Sequence, residues 1–240
     1  MTYSVFTDKG NRNVNEDSVG AFVKDDAGCF ILCDGLGGHG MGDAASSLVV
    51  DVFKNRFNDV GAKSGFIGET FGIAQDMLLM EQKRIGAEKK MKTTGVSVVT
   101  DGKNVYVGHI GDSRAYIFSK NKVKCRTLDH SIPQMLVLSG EIKESEIRNH
   151  PDRSALLRVI GVEWDEPMYE IMRPVSKRKC QAMLLCSDGF WELIDEEKMC
   201  ELLRRSENVD EWLKMMVDIV KENGIGRDMD NYSAIAVWMQ

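Results

Sequence analysis

Cys29-Phe30-Ile31-Leu32-Cys33-Asp34-Gly35 decides how this chain is read. An apolar run that ends on a carboxylate and a glycine reads as a buried strand with an acid at its lip. The pattern recurs in Val107-Gly108-His109-Ile110-Gly111-Asp112 and in Met183-Leu184-Leu185-Cys186-Ser187-Asp188-Gly189. Asp230-Asn231 mirrors it, with the acid opening the run Tyr232–Met239. Ionised carboxylates at the ends of buried strands are costly unless paired or bound to a cation. These acids, with Glu16-Asp17 near the N-terminus, read as oxygen ligands gathered around hard divalent metals.

Working outward, Tyr3–Thr7 and Val19–Val23 read as strands, the second joined to Cys29–Cys33 by the turn Asp25-Asp26-Ala27-Gly28. Gly35 to Gly42 reads as a glycine-rich loop. Ala44, Leu48, Val49, Val52, Phe53 and Phe57 predict a helix over Asp43–Asn58. A second helical region covers Ser64–Lys90, its continuity weakened by Gly68, Gly72 and Gly86. Thr94–Thr100, Asn104–Ile110 and Arg114–Phe118 read as successive strands, with Asp101-Gly102 as the hairpin signal between the first pair. Tyr169–Val175, Ala182–Cys186 and Ser233–Met239 are further strands. Asp195–Arg205 and Val209–Glu222 are amphipathic helices that open on acids, as the helix dipole favours.

Asp129 to Gly161 reads differently, as a flap inserted over a surface. Pro133 and Pro151 interrupt it and Glu141–Glu146 offers little to a core. The apolar Ile132–Leu138 is expected to stay docked while Ser139–Pro151 moves. No linker or repeat divides the chain, so residues 1–240 are expected to form one domain. Strand pairs with hairpin-length links and segregated helices predict an α/β chain of the α+β type built on antiparallel sheets.

The composition, 43% hydrophobic and 28% charged, is that of an ordinary globular protein. A net charge of −6 argues against nucleic acid or an anionic membrane as the partner, since both select a basic face. The six cysteines include no C-x-x-C pair and have no histidine cluster beside them, which argues against zinc. No signal peptide or membrane-length run is present, and a reduced, cytoplasmic protein is expected.

Gly35-Leu36-Gly37-Gly38-His39-Gly40 fits the G-x-G-x-x-G dinucleotide fingerprint. That reading requires a parallel strand about 20 residues on, ending in an acid. Here Val52–Asp59 keeps a helical pattern, and Asp34 would repel a pyrophosphate.

Arg12, Glu16-Asp17, Asp34–His39, Gly111–Arg114, Asp129–Ser131, Ser187–Gly189 and Asp230-Asn231 follow one another in an order that spans nearly the whole chain. Together they resemble the type 2C metal-dependent serine/threonine phosphatases in their bacterial form. The resemblance implies a two-layer sandwich of antiparallel sheets with helices on both outer faces. It implies hydrolysis of phosphoserine and phosphothreonine in proteins with Mg²⁺ or Mn²⁺, two ions per site and a third in bacterial members. Asp34 would bridge the two ions. Asp188 and Asp230 would complete one; Glu16 and the Gly35 carbonyl would serve the other. Asp112 would share the third with Asp188. Asp17 would hold a water, and Arg12 would grip the phosphate. Implied partners are phosphorylated proteins and a cognate serine/threonine kinase system, with the phosphatase a monomer.

The physics agrees. Two cations about 4 Å apart activate a water and clamp the phosphoryl oxygens. Oxygen-only ligands select Mg²⁺ or Mn²⁺ over Zn²⁺ or Cu²⁺, and a planar guanidinium suits a phosphate. The alternative is a catalytically silent pseudophosphatase that only binds phosphoproteins; lost ligands would mark it.

The sequence departs from the family at two places. Leu36 stands where eukaryotic members place a histidine, the proposed general acid, and His39 does not match that position. Lys92-Thr93-Thr94 replaces Gly-Thr-Thr. A Ser113–His109 nucleophile pair is disfavoured, Ser113 reading as a turn residue. His130 and His150 read as structural, and Arg158 as a partner in an internal ion pair.

Overall fold

The computed structural model describes residues 1–37, 41–88 and 90–239. Two sheets, antiparallel throughout, form its centre. The elements in chain order are β1 (Thr2–Asp8), β2 (Asp17–Lys24), β3 (Ala27–Leu36), α1 (Gly42–Val60), α2 (Phe66–Ile85), β4 (Lys92–Thr93), β5 (Gly95–Thr100), β6 (Asn104–Ile110), β7 (Arg114–Ser119) and β8 (Lys122–Arg126). They continue with α3 (Ile132–Ser139), β9 (Glu170–Ile171), β10 (Val175–Ser176), β11 (Ala182–Cys186), α4 (Asp188–Trp191), α5 (Glu196–Arg205), α6 (Val209–Gly224) and β12 (Tyr232–Trp238). The first sheet runs β1-β12-β11-β7-β8; the second runs β10-β6-β5-β3-β2, with β4 against β3 and β9 against β6.

The unbroken apolar character of β3 follows from its place between two layers. Phe30 and Leu32 point into the core between the sheets, with Val96, Val98, Leu185 and Ile235. Cys29, Ile31 and Cys33 point the other way, against Val49, Phe53 and Phe71 of α1 and α2. Successive side chains alternate faces, and both faces here are covered. The first sheet does the same with Leu184, Cys186, Ala234 and Ala236 under Met199, Leu203, Trp212 and Met216 of α5 and α6. The expected sandwich with helices on both outer faces is therefore the observed one.

Some elements differ from the sequence reading. The expected strand Tyr169–Val175 is only the two-residue pieces β9 and β10. Arg173-Pro174 separates them, and Pro174 has no N–H to give a ladder. The second helical region is an unbroken helix through Gly68 and Gly72, ending at Gly86 with φ +64°. β8, β4 and the single-turn α4 carry no clear periodic signal and were not expected. Among the described residues no helix is long and apolar enough to cross a membrane, and the six cysteines are unpaired.

The flap segment is docked through α3, where Val137 packs against the core, and also through a piece that the sequence reading left free. α3 buries only Pro133 and Gln134, while Met135 and Leu138 are exposed. The charged turn Glu144–Asn149 is the better anchored piece. Its Ile147 is buried in the core under α5 and α6. Arg148 donates to the carbonyls of Trp191 (3.1 Å) and Ile194 (3.3 Å) and to both oxygens of Glu196 (3.0 and 2.9 Å).

Candidate metal centre

The acids converge because their strands end at the same edge of the sandwich. Asp34 lies opposite Asp17 in the β2–β3 ladder. Asp112 follows β6, Asp188 follows β11, and Asp230 precedes β12, which runs antiparallel to β11. One cavity of 580 Å³ is lined by Arg12, Glu16, Asp34, Gly35, Asp112, Asp188 and Asp230, so these sequence-predicted residues are brought together. Asp17 is buried beside them rather than lining the cavity. Ser187 Oγ donates to its Oδ2 at 2.9 Å, while its Oδ1 is buried without a partner.

The backbone around Asp34 is held on both strands. Its N–H donates to Thr94 Oγ1 at 3.1 Å. Its carbonyl accepts from the Thr94 N–H and the Thr93 hydroxyl, both at 2.8 Å. Lys92-Thr93-Thr94 thus keeps the hydroxyls that pin the Asp34 peptide, and Lys92 pairs with Leu36 across the short ladder. Glu16 is fixed similarly: its N–H donates to Asn231 Oδ1 at 2.7 Å, and its Oε1 accepts from Gly42 N–H at 3.3 Å. A Cβ on Gly35 would lie 2.2 Å from the Gly42 carbonyl oxygen, so only glycine fits there. Gly38, His39 and Gly40 of the glycine-rich loop lie outside the described residues.

Crowding raises these carboxyls. Burial, then Asp17 and Asp188, pushes Asp34 well above the usual carboxylate range. Burial and Asp188 do the same to Asp112. Burial raises Asp17 to about 7 and, aided by Asp230, Asp188 to about 6. Burial also raises Glu16. Among the described residues none of Glu16, Asp17, Asp34, Asp112 or Asp188 forms an ion pair. The exception in the set is Asp230, whose two oxygens accept from Arg12 Nε and Nη2 at 3.0 Å each. Several buried acids without a counter-charge, one with an orphaned oxygen, fit an all-oxygen divalent cation centre.

Sequence reasoning missed what supports Asp112. The Trp191 indole donates to the Asp112 carbonyl at 3.0 Å, and the Arg114 guanidinium lies 3.4 Å above that ring's centroid. Arg114 is itself tied to Asp129 by two bonds of 2.8 and 2.7 Å. The signal was present in Gly111–Arg114 and Asp129, but their pairing is not readable from spacing. Ser154 and Leu156, from the flap segment, also line the cavity.

Other candidate residues have partners elsewhere. Ser113 Oγ bonds to Thr94 Oγ1 at 2.8 Å and His109 Nε2 to the Leu128 carbonyl at 2.7 Å, so the two form no nucleophile pair. His150 Nδ1 accepts from the Asp152 N–H at 3.1 Å, a local turn contact. Arg158 is exposed and, among the described residues, makes no ion pair, contrary to expectation. Two histidines do meet, away from any cysteine. His109 and His130 stack 4.5 Å apart, and with Glu170 they offer ligand atoms within 4.8 Å of one another. Their hydrogen bonds place a proton on Nε2 of each ring, since His130 Nδ1 accepts from Gly111 N–H. His130 Nε2 is therefore a donor, which argues against a metal held there. Burial lowers both, His130 to about 3.

A cavity lined by crowded acids at the mouth of a helix-flanked antiparallel sandwich defines a divalent-cation-dependent phosphatase. The chain belongs to the protein phosphatase 2C family, whose sequence profile matches residues 9–231. It is 32% identical to the serine/threonine phosphatase Stp of Listeria welshimeri, over 96% of this chain and 93% of that one. Serine/threonine phosphatase Stp1 of Staphylococcus aureus superposes with a TM-score of 0.89 at 26% identity, covering 99% of this chain and 94% of that one. The catalytic domain of the phosphatase PstP, solved with two manganese ions, gives a TM-score of 0.82 at 25% identity, covering 98% and 96%. The neighbours of β3 in the sheet are antiparallel, so the dinucleotide reading of the glycine loop falls.

Proposed function

We infer that the chain hydrolyses phosphoserine and phosphothreonine in proteins with divalent cations as cofactor. The observation that carries this reading is the set of acids around one cavity, buried or half-buried and, Asp230 apart, without a counter-charge. Every acid of the set is in place, which leaves no motive for a catalytically silent reading. When bound, Mg²⁺ or Mn²⁺ would neutralise phosphate charge and lower the pKa of a water. Asp34 would bridge two ions, Asp188 and Asp230 would complete one, and Glu16 with the Gly35 carbonyl would serve the other. Asp112 and Asp188 would share a third.

The chain's own groups then have these tasks. Asp17 Oδ1, orphaned beside the cavity, accepts a hydrogen from the reacting water. Arg12 turns its planar donors from Asp230 to the phosphate oxygens. Leu36 carries no proton for the leaving oxygen, and the cavity lining among the described residues holds no histidine in its stead, so we assign that proton to solvent. We further propose a single domain over 1–240, with 129–161 as a flap beside the cavity. It would act as a monomer in the cytoplasm, which suits unpaired cysteines, and oppose a serine/threonine kinase.

The test is turnover of a phosphothreonine peptide in Mn²⁺, with and without EDTA. Metal-dependent release of phosphate supports the reading; turnover indifferent to chelation sinks it.

A further inference from the structure

β8 is the open edge of the five-stranded sheet, and β9 and β10 flank β6 at the edge of the other. A cleft of 820 Å³ runs between these edges, away from the acids of the candidate site. The half-buried Cys125, Met172 and Val175 on its walls are rooted in the core between the sheets. Ile171 beside them is 45% exposed. Lys124, Arg173 and Lys179 also line the cleft, against a single acid, Glu170.

Lys103, Lys177 and Arg178 in the adjoining turns and Lys122 at the start of β8 lie nearby, and the Lys177 N–H donates to the Lys103 carbonyl at 2.9 Å. Among the described residues none of these seven cations forms an ion pair. Such a concentration stands out in a chain of net charge −6. Lysines and the register shift opposite Ile117/Phe118 protect an open strand from pairing. That role covers Lys122 and Lys124. It does not require an amphipathic cleft with Arg173 and Lys179 in its lining.

We propose that this cleft docks an extended acidic segment of a partner protein. In an extended chain side chains alternate, so acidic residues meet Lys124, Arg173 and Lys179 while the intervening apolar ones cover Ile171, Met172 and Val175. The cleft follows β6 from Glu170, opposite His109, to Ser176, opposite Asn104. The seven residues from Glu170 to Ser176 cover about 20 Å along that edge, room for roughly six extended residues. Exposed ion pairs are individually weak and screened by salt, so the docking is modest and salt-sensitive. For a phosphorylated partner, the tether raises the local concentration of its phosphoresidue at the cavity. That consequence rests on the phosphatase reading; the binding itself does not.

Fluorescence anisotropy with a labelled decapeptide of alternating glutamate and valine tests the proposal without catalysis. Saturable binding is expected, weakened about tenfold or more by Lys124→Glu/Arg173→Glu/Lys179→Glu, a 1.4 kcal/mol effect. The control Lys54→Glu/Lys83→Glu, on α1 and α2, should leave it unchanged. All three cleft residues are exposed, so the triple variant should keep the parent's thermal midpoint and its rate on a small aryl phosphate. Absence of saturable binding, equal binding by the triple variant, or equal binding of a lysine–valine peptide overturns the proposal. So does inhibition of aryl phosphate hydrolysis by the acidic peptide, which would place it in the cavity.

Discussion

His130 holds the Gly111 peptide from both sides. Its N–H donates to the Gly111 carbonyl at 2.9 Å, and its Nδ1 accepts from the Gly111 N–H at 3.2 Å. Gly111 has φ +100°, a backbone that L side chains rarely adopt, and it sets the direction of Asp112. His130→Ala removes the side-chain bond, about 1 kcal/mol of restraint. The expected outcome is weaker binding of the last Mn²⁺ ion in a calorimetric titration, with the tighter ions little changed. A titration identical to that of the parent would show that this clamp does not bear on Asp112.

The raised carboxyls set a pH dependence for the chelated protein. Asp17 moves from 3.8 to about 7 in the folded chain. Between those values the folded state holds a proton that the unfolded state has released, so stability falls as pH rises through that window. Asp188, raised to about 6, adds in the same direction over a narrower range. In EDTA the thermal midpoint should therefore be higher at pH 5 than at pH 8. Saturating Mn²⁺ should reduce or reverse the difference, because cations compete with these protons. A chelated protein more stable at pH 8 would contradict the burial of uncompensated acids.

Asp34→Asn should separate stability from activity. Asp34 is half of the opposed Asp17–Asp34 pair and is itself raised by burial and by Asp17, Asp188, Asp112 and Asp230. Replacing it by a neutral isostere relieves that repulsion. The chelated variant should melt higher than the chelated parent at pH 8. Its turnover with Mn²⁺ should fall by about a hundredfold or more, the scale of losing a group that stabilises transition-state charge. Near-parent rates would reject the bridging role.

Much of this centre is legible in the chain because a buried strand ending on a carboxylate is physically conspicuous. Asp34, Asp112, Asp188 and Asp230 each bound such a run, and the fold gathers them at one cavity. Their supports are not legible. The Arg114–Asp129 pair and the Trp191 indole meet only through tertiary packing. β8 hides for another reason. Lys122-Val123-Lys124-Cys125-Arg126 is an edge strand in which exposed lysines alternate with half-buried residues, so it lacks the apolar run that marks β3 or β11. Composition misled most in the flap, where Ile147 and Arg148 sit in the most charged stretch yet anchor it.

That anchoring yields the last prediction. Arg148 ties the turn Glu144–Asn149 to Glu196 and to the carbonyls of Trp191 and Ile194, and Ile147 is 2% exposed. Ser154 and Leu156, a few residues on, line the cavity, so the anchor fixes how that stretch approaches a bound substrate. Ile147→Ala leaves a hole in the core and should cost about 2–5 kcal/mol if the turn stays docked. If the turn swings free instead, the loss is smaller and residues 139–151 become sensitive to protease. Arg148→Ala, which spares the core, should loosen the turn with little change in thermal midpoint. A loosened flap should alter rates on phosphoproteins much more than on a small aryl phosphate, which needs no contact with Ser154 or Leu156. Limited proteolysis and paired kinetics on the two substrates measure both effects. Equal changes on both substrates, or none on either, would show that this segment does not govern selectivity.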